Sequence, residues 1–322
     1  MARAILVPLD GSPFGERALP VAASLARGSG AALHFVRIHF PATRPPISLE
    51  GTVIDDDKDS LRWEAERAYL EKVRHKVGPE SERHTRVEVL NGPVAEVLAT
   101  YAAFNRIDLI VMATHGRHGL ARAWQGSVAD ELLRRSRVPV LLVRATGDTA
   151  AAALPEGPPR MLIALDGSRL AEEVLEPAAN LGRALGAEYT LMRVVNPLGL
   201  MGDLPLVLAP RMGRAIAAQH EADAKAYLAE AAWWLRDRGL AVRTKVISSE
   251  QPAETILKEA EGHGFACIAM ATHGRSGLSR VLLGSVASRV LHGTRVPLLL
   301  YRPRTECHRS RARTREELVT PA

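Results

Sequence analysis

The chain is written twice, and self-similarity at domain length requires two copies of one folding unit. Ile5-Leu6-Val7-Pro8-Leu9-Asp10-Gly11-Ser12 returns as Met161-Leu162-Ile163-Ala164-Leu165-Asp166-Gly167-Ser168. Further on, Met112-Ala113-Thr114-His115-Gly116-Arg117 returns letter for letter at Met270–Arg275. Gly119-Leu120, Arg122 and Gly126-Ser127-Val128-Ala129 recur as Gly277-Leu278, Arg280 and Gly284-Ser285-Val286-Ala287, giving 13 identities over the 18 residues 112–129. The offset is 156 at the first motif and 158 at the second, so the copies differ by two net residues between them. The predicted division is a first domain over 1–145, a linker rich in Gly, Ala and Pro over 146–159, a second domain over 160–303, and a basic tail over 304–322.

Within each copy, short apolar runs alternate with helical patterns, the signature of βαβ units and a parallel sheet. The expected strands are about 3–9, 31–38, 84–90, 107–113 and 138–143, then 161–165, 187–195, 241–247, 265–271 and 296–301. The runs 107–112 and 138–143 are nearly continuous in apolar residues, as strands covered on both faces must be. Helices are expected over 14–27, 60–77, 93–104 and 126–136. Right-handed crossovers then give an α/β fold of two tandem, doubly wound, Rossmann-like domains, each with a five-stranded parallel sheet.

Composition excludes several classes. With 47% apolar residues in 322, the chain supports sizeable cores, and no apolar run nears the roughly 18 residues that span a bilayer. The start reads as a strand rather than a signal peptide, and Cys267 and Cys307 are too far apart for a redox pair, so a cytoplasmic protein is expected. The net charge of +6 is concentrated: residues 302–315 hold six arginines against Glu306. That stretch has no aromatic residue for base stacking, so it reads as a solvated, disordered terminus and not as a nucleic-acid or membrane anchor.

Chemistry is expected where the fourth strand of each copy runs into a glycine-bearing loop and then a helix. In a parallel sheet this loop lies at the carboxyl edge, where ligands of open α/β folds bind. Gly116 follows the strand, and Gly126-Ser127 opens the helix, whose free N–H groups favour an anion. Ser127 is either a further donor or simply an N-cap. From spacing alone, a phosphate site and a plain strand–turn–helix are equally good readings.

Both copies resemble the universal stress protein family, over almost the whole chain outside the linker and tail. Nucleotide-binding members carry a glycine, two residues, a second glycine, nine residues, then Gly-Ser or Gly-Thr. Here the second glycine and closing pair are Gly116 with Gly126-Ser127, and Gly274 with Gly284-Ser285; Ala113 and Ala271 replace the first glycine. The resemblance implies an adenine nucleotide hydrolase-like fold and a stress-response regulator that binds ATP, alone or with Mg2+. It places Asp10 and Asp166 against the adenosine, Pro8 and Ala164 beside the adenine, and backbone contacts at Ile38 and Val194. Met112 and Met270 would lie near the nucleoside, and Val128 and Val286 are further nucleotide-binding positions. It also implies an intramolecular pseudo-dimer paired through the last strands, 138–143 and 296–301, with a homo-oligomer as a further option. A nucleotide-free interaction module and a slow ATP hydrolase are the alternatives.

The remaining candidates are weaker. His115 and His118 lack a second ligand pair, and no catalytic residues or metal ligands are expected. Asp55–Asp59 reads as a helix-capping run in the Pro-rich segment 41–60, Cys267 as a core thiol, and Trp233-Trp234 as a mix of core and surface.

Overall fold

The computed structural model describes residues 2–40, 43–44, 53–54, 56–115, 127–145, 158–196, 209–272 and 283–303. The first half runs β1 (Ala4–Pro8), a 3-10 turn (Gly15–Ala18), α1 (Leu19–Ser29), β2 (Ala32–His39), two short strands β3 (Thr43–Arg44) and β4 (Val53–Ile54), and α2 (Asp56–Arg74). It continues with a second 3-10 turn (His75–Val77), α3 (Pro79–Glu82), β5 (Thr85–Asn91), α4 (Val94–Phe104), β6 (Leu109–His115), α5 (Ser127–Arg135) and β7 (Val140–Ala145). The second half runs β8 (Arg160–Ala164), α6 (Arg169–Glu172), α7 (Leu175–Leu185), β9 (Glu188–Val195), α8 (Ala209–Arg236), β10 (Val242–Ser248), α9 (Pro252–Gly262), β11 (Cys267–Ala271), α10 (Ser285–Gly293) and β12 (Leu298–Tyr301).

The ten long strands form one sheet in the order β10-β9-β8-β11-β12-β7-β6-β1-β2-β5. Within this sheet every pair inside a half is parallel, and the two halves join through an antiparallel pair, β12 with β7. Leu298 stands opposite Leu142, Leu299 opposite Leu141 and Leu300 opposite Val140, all of them buried. An apolar last strand left open would template aggregation; here each covers the other. The expected pairing through 138–143 and 296–301 is therefore the one the sheet contains.

Alternate residues of each strand serve opposite faces. Ile5, Val7, Leu33 and Phe35 pack under α1 and α2, in a cluster that continues into α7 and α8 of the second half. Leu6, Val36 and Ile110 pack on the other face with α4 and α5, continuous with α9 and α10. One expected helix, 14–27, is in fact a 3-10 turn followed by α1, and its counterpart is split into α6 and α7. Pro20 and Pro177 fall in the first turns of α1 and α7, where a missing N–H breaks no helical hydrogen bond. The helix expected over 60–77 starts earlier, at Asp56, and its α-helical part stops at Arg74. The linker, except Pro158 and Pro159, and the tail 304–322 lie outside the described residues.

Candidate functional site

In each half the strand order reverses between the first and fourth strands: β1 lies between β2 and β6, and β8 between β9 and β11. Crossovers leave this point in opposite directions and open a crevice at the carboxyl edge. The Asp-Gly-Ser turns sit there. Asp10 Oδ1 accepts from the Ser12 N–H at 2.9 Å and from Ser12 Oγ at 2.6 Å, while Ser12 Oγ accepts from the Gly15 N–H at 3.0 Å. Asp166 repeats this with Ser168 at 2.9 and 2.6 Å, and Ser168 Oγ accepts from the Ala171 N–H at 3.1 Å.

Beneath each turn lies a second duplicated constellation. Gly11 and Gly167 hold φ of +82° and +91°, and the guanidinium of Arg37 or Arg193, from the second strand of each half, presses against the bare α-carbon. Each arginine also stands over a tyrosine of the following long helix, Arg37 over Tyr69 at 5.5 Å and Arg193 over Tyr227 at 5.1 Å. Burial first, then Glu16 and Asp10, hold the Tyr69 hydroxyl protonated well above its ordinary range, with Arg37 opposing them. Burial, Glu172 and Asp166 do the same to Tyr227 against Arg193. The set Asp, Glu, Arg, Tyr thus recurs residue for residue, 156 or 158 positions on. Sequence reading missed it because the four letters are scattered over about sixty residues; sliding the copies against each other at those offsets would have exposed it.

A third feature belongs to the first half alone. His39, 1% exposed at the end of β2, bonds the Glu66 carboxylate through Nδ1 at 2.8 Å and Asp59 through Nε2 at 2.9 Å. Glu66 is buried too and also meets Arg37 at 3.3 Å and Arg62 at 3.7 Å. Burial alone lowers the His39 pKa; the hydrogen bonds to Asp59 and Glu66 outweigh it, so the net shift is upward. The aligned second-half positions are Val195, Ala217 and Ala224. Asp59, expected only to cap a helix, is therefore one carboxylate of an ion cluster built around the buried His39 and Glu66.

Several sequence-predicted site residues converge on one face. Ile38, Met112 and Val128 pack with the α4–α5 cluster; Ala164, Val194, Met270 and Val286 pack with its continuation around α9 and α10. Pro8 pairs with Val36 and Ala164 with Met192, each closing the first strand of its half. Ala113 packs on the opposite face, and Ala271 shares the parity of Ala269 there. The start of α10 is pinned to the strand it follows: the Gly284 N–H donates to the Thr272 carbonyl at 2.8 Å, and no side chain caps the helix. Ser285, exposed, and Val286 supply the first N–H groups of that turn. Ser127 is the first residue of α5; Gly116, Gly126 and Gly274 lie outside the described residues.

The model of the universal stress protein family matches residues 1–144 and again 159–302. The chain belongs to that family. A universal stress protein of Mycobacterium tuberculosis is 30% identical over 200 residues, 62% of this chain and 63% of the relative, so the match leaves over a third of that relative uncovered. One from Mycolicibacterium smegmatis is 28% identical over 304 residues, 93% of this chain and 97% of its own. Among solved structures, a universal stress protein of Archaeoglobus fulgidus superimposes with a TM-score of 0.64 over 93% of this chain and 98% of its own, at 21% identity. A functionally unknown protein of Pseudomonas aeruginosa gives 0.57 over 94% and 93%, at 16% identity. These two likenesses speak to fold. Among the described residues, no helix is long and apolar enough to cross a membrane.

Proposed function

We propose that this universal stress protein is a cytoplasmic, stress-responsive regulator that binds an adenine nucleotide, ATP with or without Mg2+, at one site in each half. The observation that carries the reading is the start of α10. Its first N–H groups have no side-chain cap, and the Gly284–Thr272 hydrogen bond holds them at the carboxyl edge beside the strand-order reversal. An anion there gains both donors and the positive end of the helix dipole.

The other residues fit the same ligand. The apolar face formed by Ile38 and Met112, and by Val194 and Met270, suits a purine base, which is recognised largely through backbone groups. Asp10 and Asp166 are fixed by their serines, leaving carboxylates at the edge suited to ribose hydroxyls. Ala113 departs from the glycine of the motif, yet it packs on the face of the sheet opposite to Met112 and Val128. Phosphates would then rest on the N–H groups of Ser127-Val128 and Ser285-Val286, with Gly116 and Gly274 in the approaching loops.

Incubation with γ-labelled ATP, followed by measurement of retained nucleotide and released phosphate, tests this. Stoichiometric retention with negligible release is expected. Rapid turnover would favour a hydrolase, and no retention at millimolar ATP would favour a nucleotide-free module.

A further inference from the structure

The second half carries an acidic groove. It lies between α6–α7, α8 and the end of β12, with a volume of about 790 Å³, and is open to solvent. Glu172, Glu173 and Glu176 line one side and Glu230 the other, against the single cation Arg169. Trp233 borders it and is 65% exposed, while its helix buries Leu228, Ala232 and Leu235 on the opposite side. An exposed tryptophan in a groove lined by four carboxylates and one guanidinium favours a cationic partner.

The repeat shows that the fold does not demand this surface. At the positions aligned with Glu173, Glu230, Trp233 and Trp234, the first half has Arg17, Lys72, His75 and Lys76. There Lys76 pairs with Glu16 at 2.5 Å; the aligned Glu172 faces a tryptophan position instead, and no salt bridge among the described residues engages it. The sign of the surface has been inverted in one copy only.

The chain itself supplies a matching cation. β12 ends at Tyr301, which lines this groove, and Arg302 follows directly. Residues 302–315 carry six arginines and one glutamate, before Glu316 and Glu317. A chain extends up to about 3.3 Å per residue, so 304–315 can span such a groove from its point of origin. Guanidinium groups pair with carboxylates and stack on indole faces, as Arg238 already does over Trp234 at 3.8 Å. A tethered segment also acts at millimolar effective concentration.

We propose that the acidic groove between α7 and α8 is the docking site of the chain's own arginine-rich C-terminal segment, residues 302–315. This is independent of nucleotide binding.

The test is trypsin cleavage after Arg309, Arg311, Arg313 and Arg315 in the full chain, followed by mass spectrometry at low salt. Cleavage in the wild type should be about tenfold slower than in Glu176→Lys/Glu230→Lys, the factor that a few exposed ion pairs and one cation–π contact supply. Trp233→Ala, at an exposed site that folding does not need, should lose part of the protection, and 0.5 M salt should remove it. Glu64→Lys/Glu96→Lys, an equal charge change at exposed positions on α2 and α4, should leave protection intact. Equal, fast cleavage of wild type and groove variants at low salt overturns the proposal. Protection that falls on dilution overturns it as well, since it assigns the groove to the tail of a second copy.

Discussion

Replacing Gly167 by alanine probes the support beneath the second Asp-Gly-Ser turn. Gly167 holds φ of +91°, and a β-carbon there would lie 2.6 Å from Arg193 Cζ. Two costs follow. A left-handed φ on an L-residue costs about 1–2 kcal/mol. Arg193 must also swing away from the Tyr227 ring, 5.1 Å off, and a cation–π contact of this kind contributes about 0.5–2 kcal/mol. The sum is about 1.5–4 kcal/mol, read as a shift in the urea midpoint at unchanged slope. In an Arg193→Met background the obstacle and the contact are both gone, so Gly167→Ala should cost only the backbone part, about 1–2 kcal/mol. The difference between backgrounds is the coupling energy of a double-mutant cycle. A cost under about 0.5 kcal/mol in the wild type, or the same cost in both backgrounds, refutes the reasoning.

Three further outcomes are expected. His39 has a raised pKa in the folded chain, so its contribution to stability is complete below about pH 6.5, its ordinary value, and fades as pH rises through the folded value; His39→Gln should flatten the stability profile above about pH 6.5, and an unchanged profile would contradict the ion cluster. Leu300→Ala, at a fully buried site opposite Val140, should cost about 2–5 kcal/mol and lower the thermal midpoints of both halves together; a shift confined to the second half would mean that the β12–β7 seam does not couple them. Cys267 is 3% exposed and burial pushes its thiol up to about 12, so in a Cys307→Ser background a thiol reagent at pH 8 should modify it only on unfolding; fast labelling of that native variant would be the contrary result.

Much of the fold was legible because its determinants are local. Apolar runs such as Val138–Val143 and the twice-written motifs mark strands and copies without knowledge of neighbours. The seam was legible for a different reason: an apolar last strand in each copy needs a cover, and the other copy offers one. What escaped were arrangements of residues far apart in sequence. Arg37 and Tyr69 are ordinary letters until β2 and α2 bring them under Gly11. His39, Glu66 and Asp59 look like solvated residues, and only burial at the end of β2 makes them a cluster. The first helix was expected from residue 14 because the 3-10 turn Gly15–Ala18 runs directly into α1, whose own first turn holds Pro20. For the phosphate loops, the Gly-Ser helix openings were readable, whereas the pinning of Gly284 to Thr272 is a tertiary fact.

The most direct test of the central claim is calorimetric titration of ATP into the full chain and into Gly126→Val and Gly284→Val variants. A side chain at Gly284 would approach the Thr272 carbonyl, whose contact with a β-carbon is 3.3 Å, and would fill the space before the first helical N–H groups. Leu283 packs this helix start against the α9–α10 core, so the second site should bind at least as tightly as the first. The account predicts two sites in the wild type, one lost in each variant, and none in the folded double variant. Binding that survives undiminished in the folded double variant, or no binding by the wild type at millimolar ATP, would contradict it.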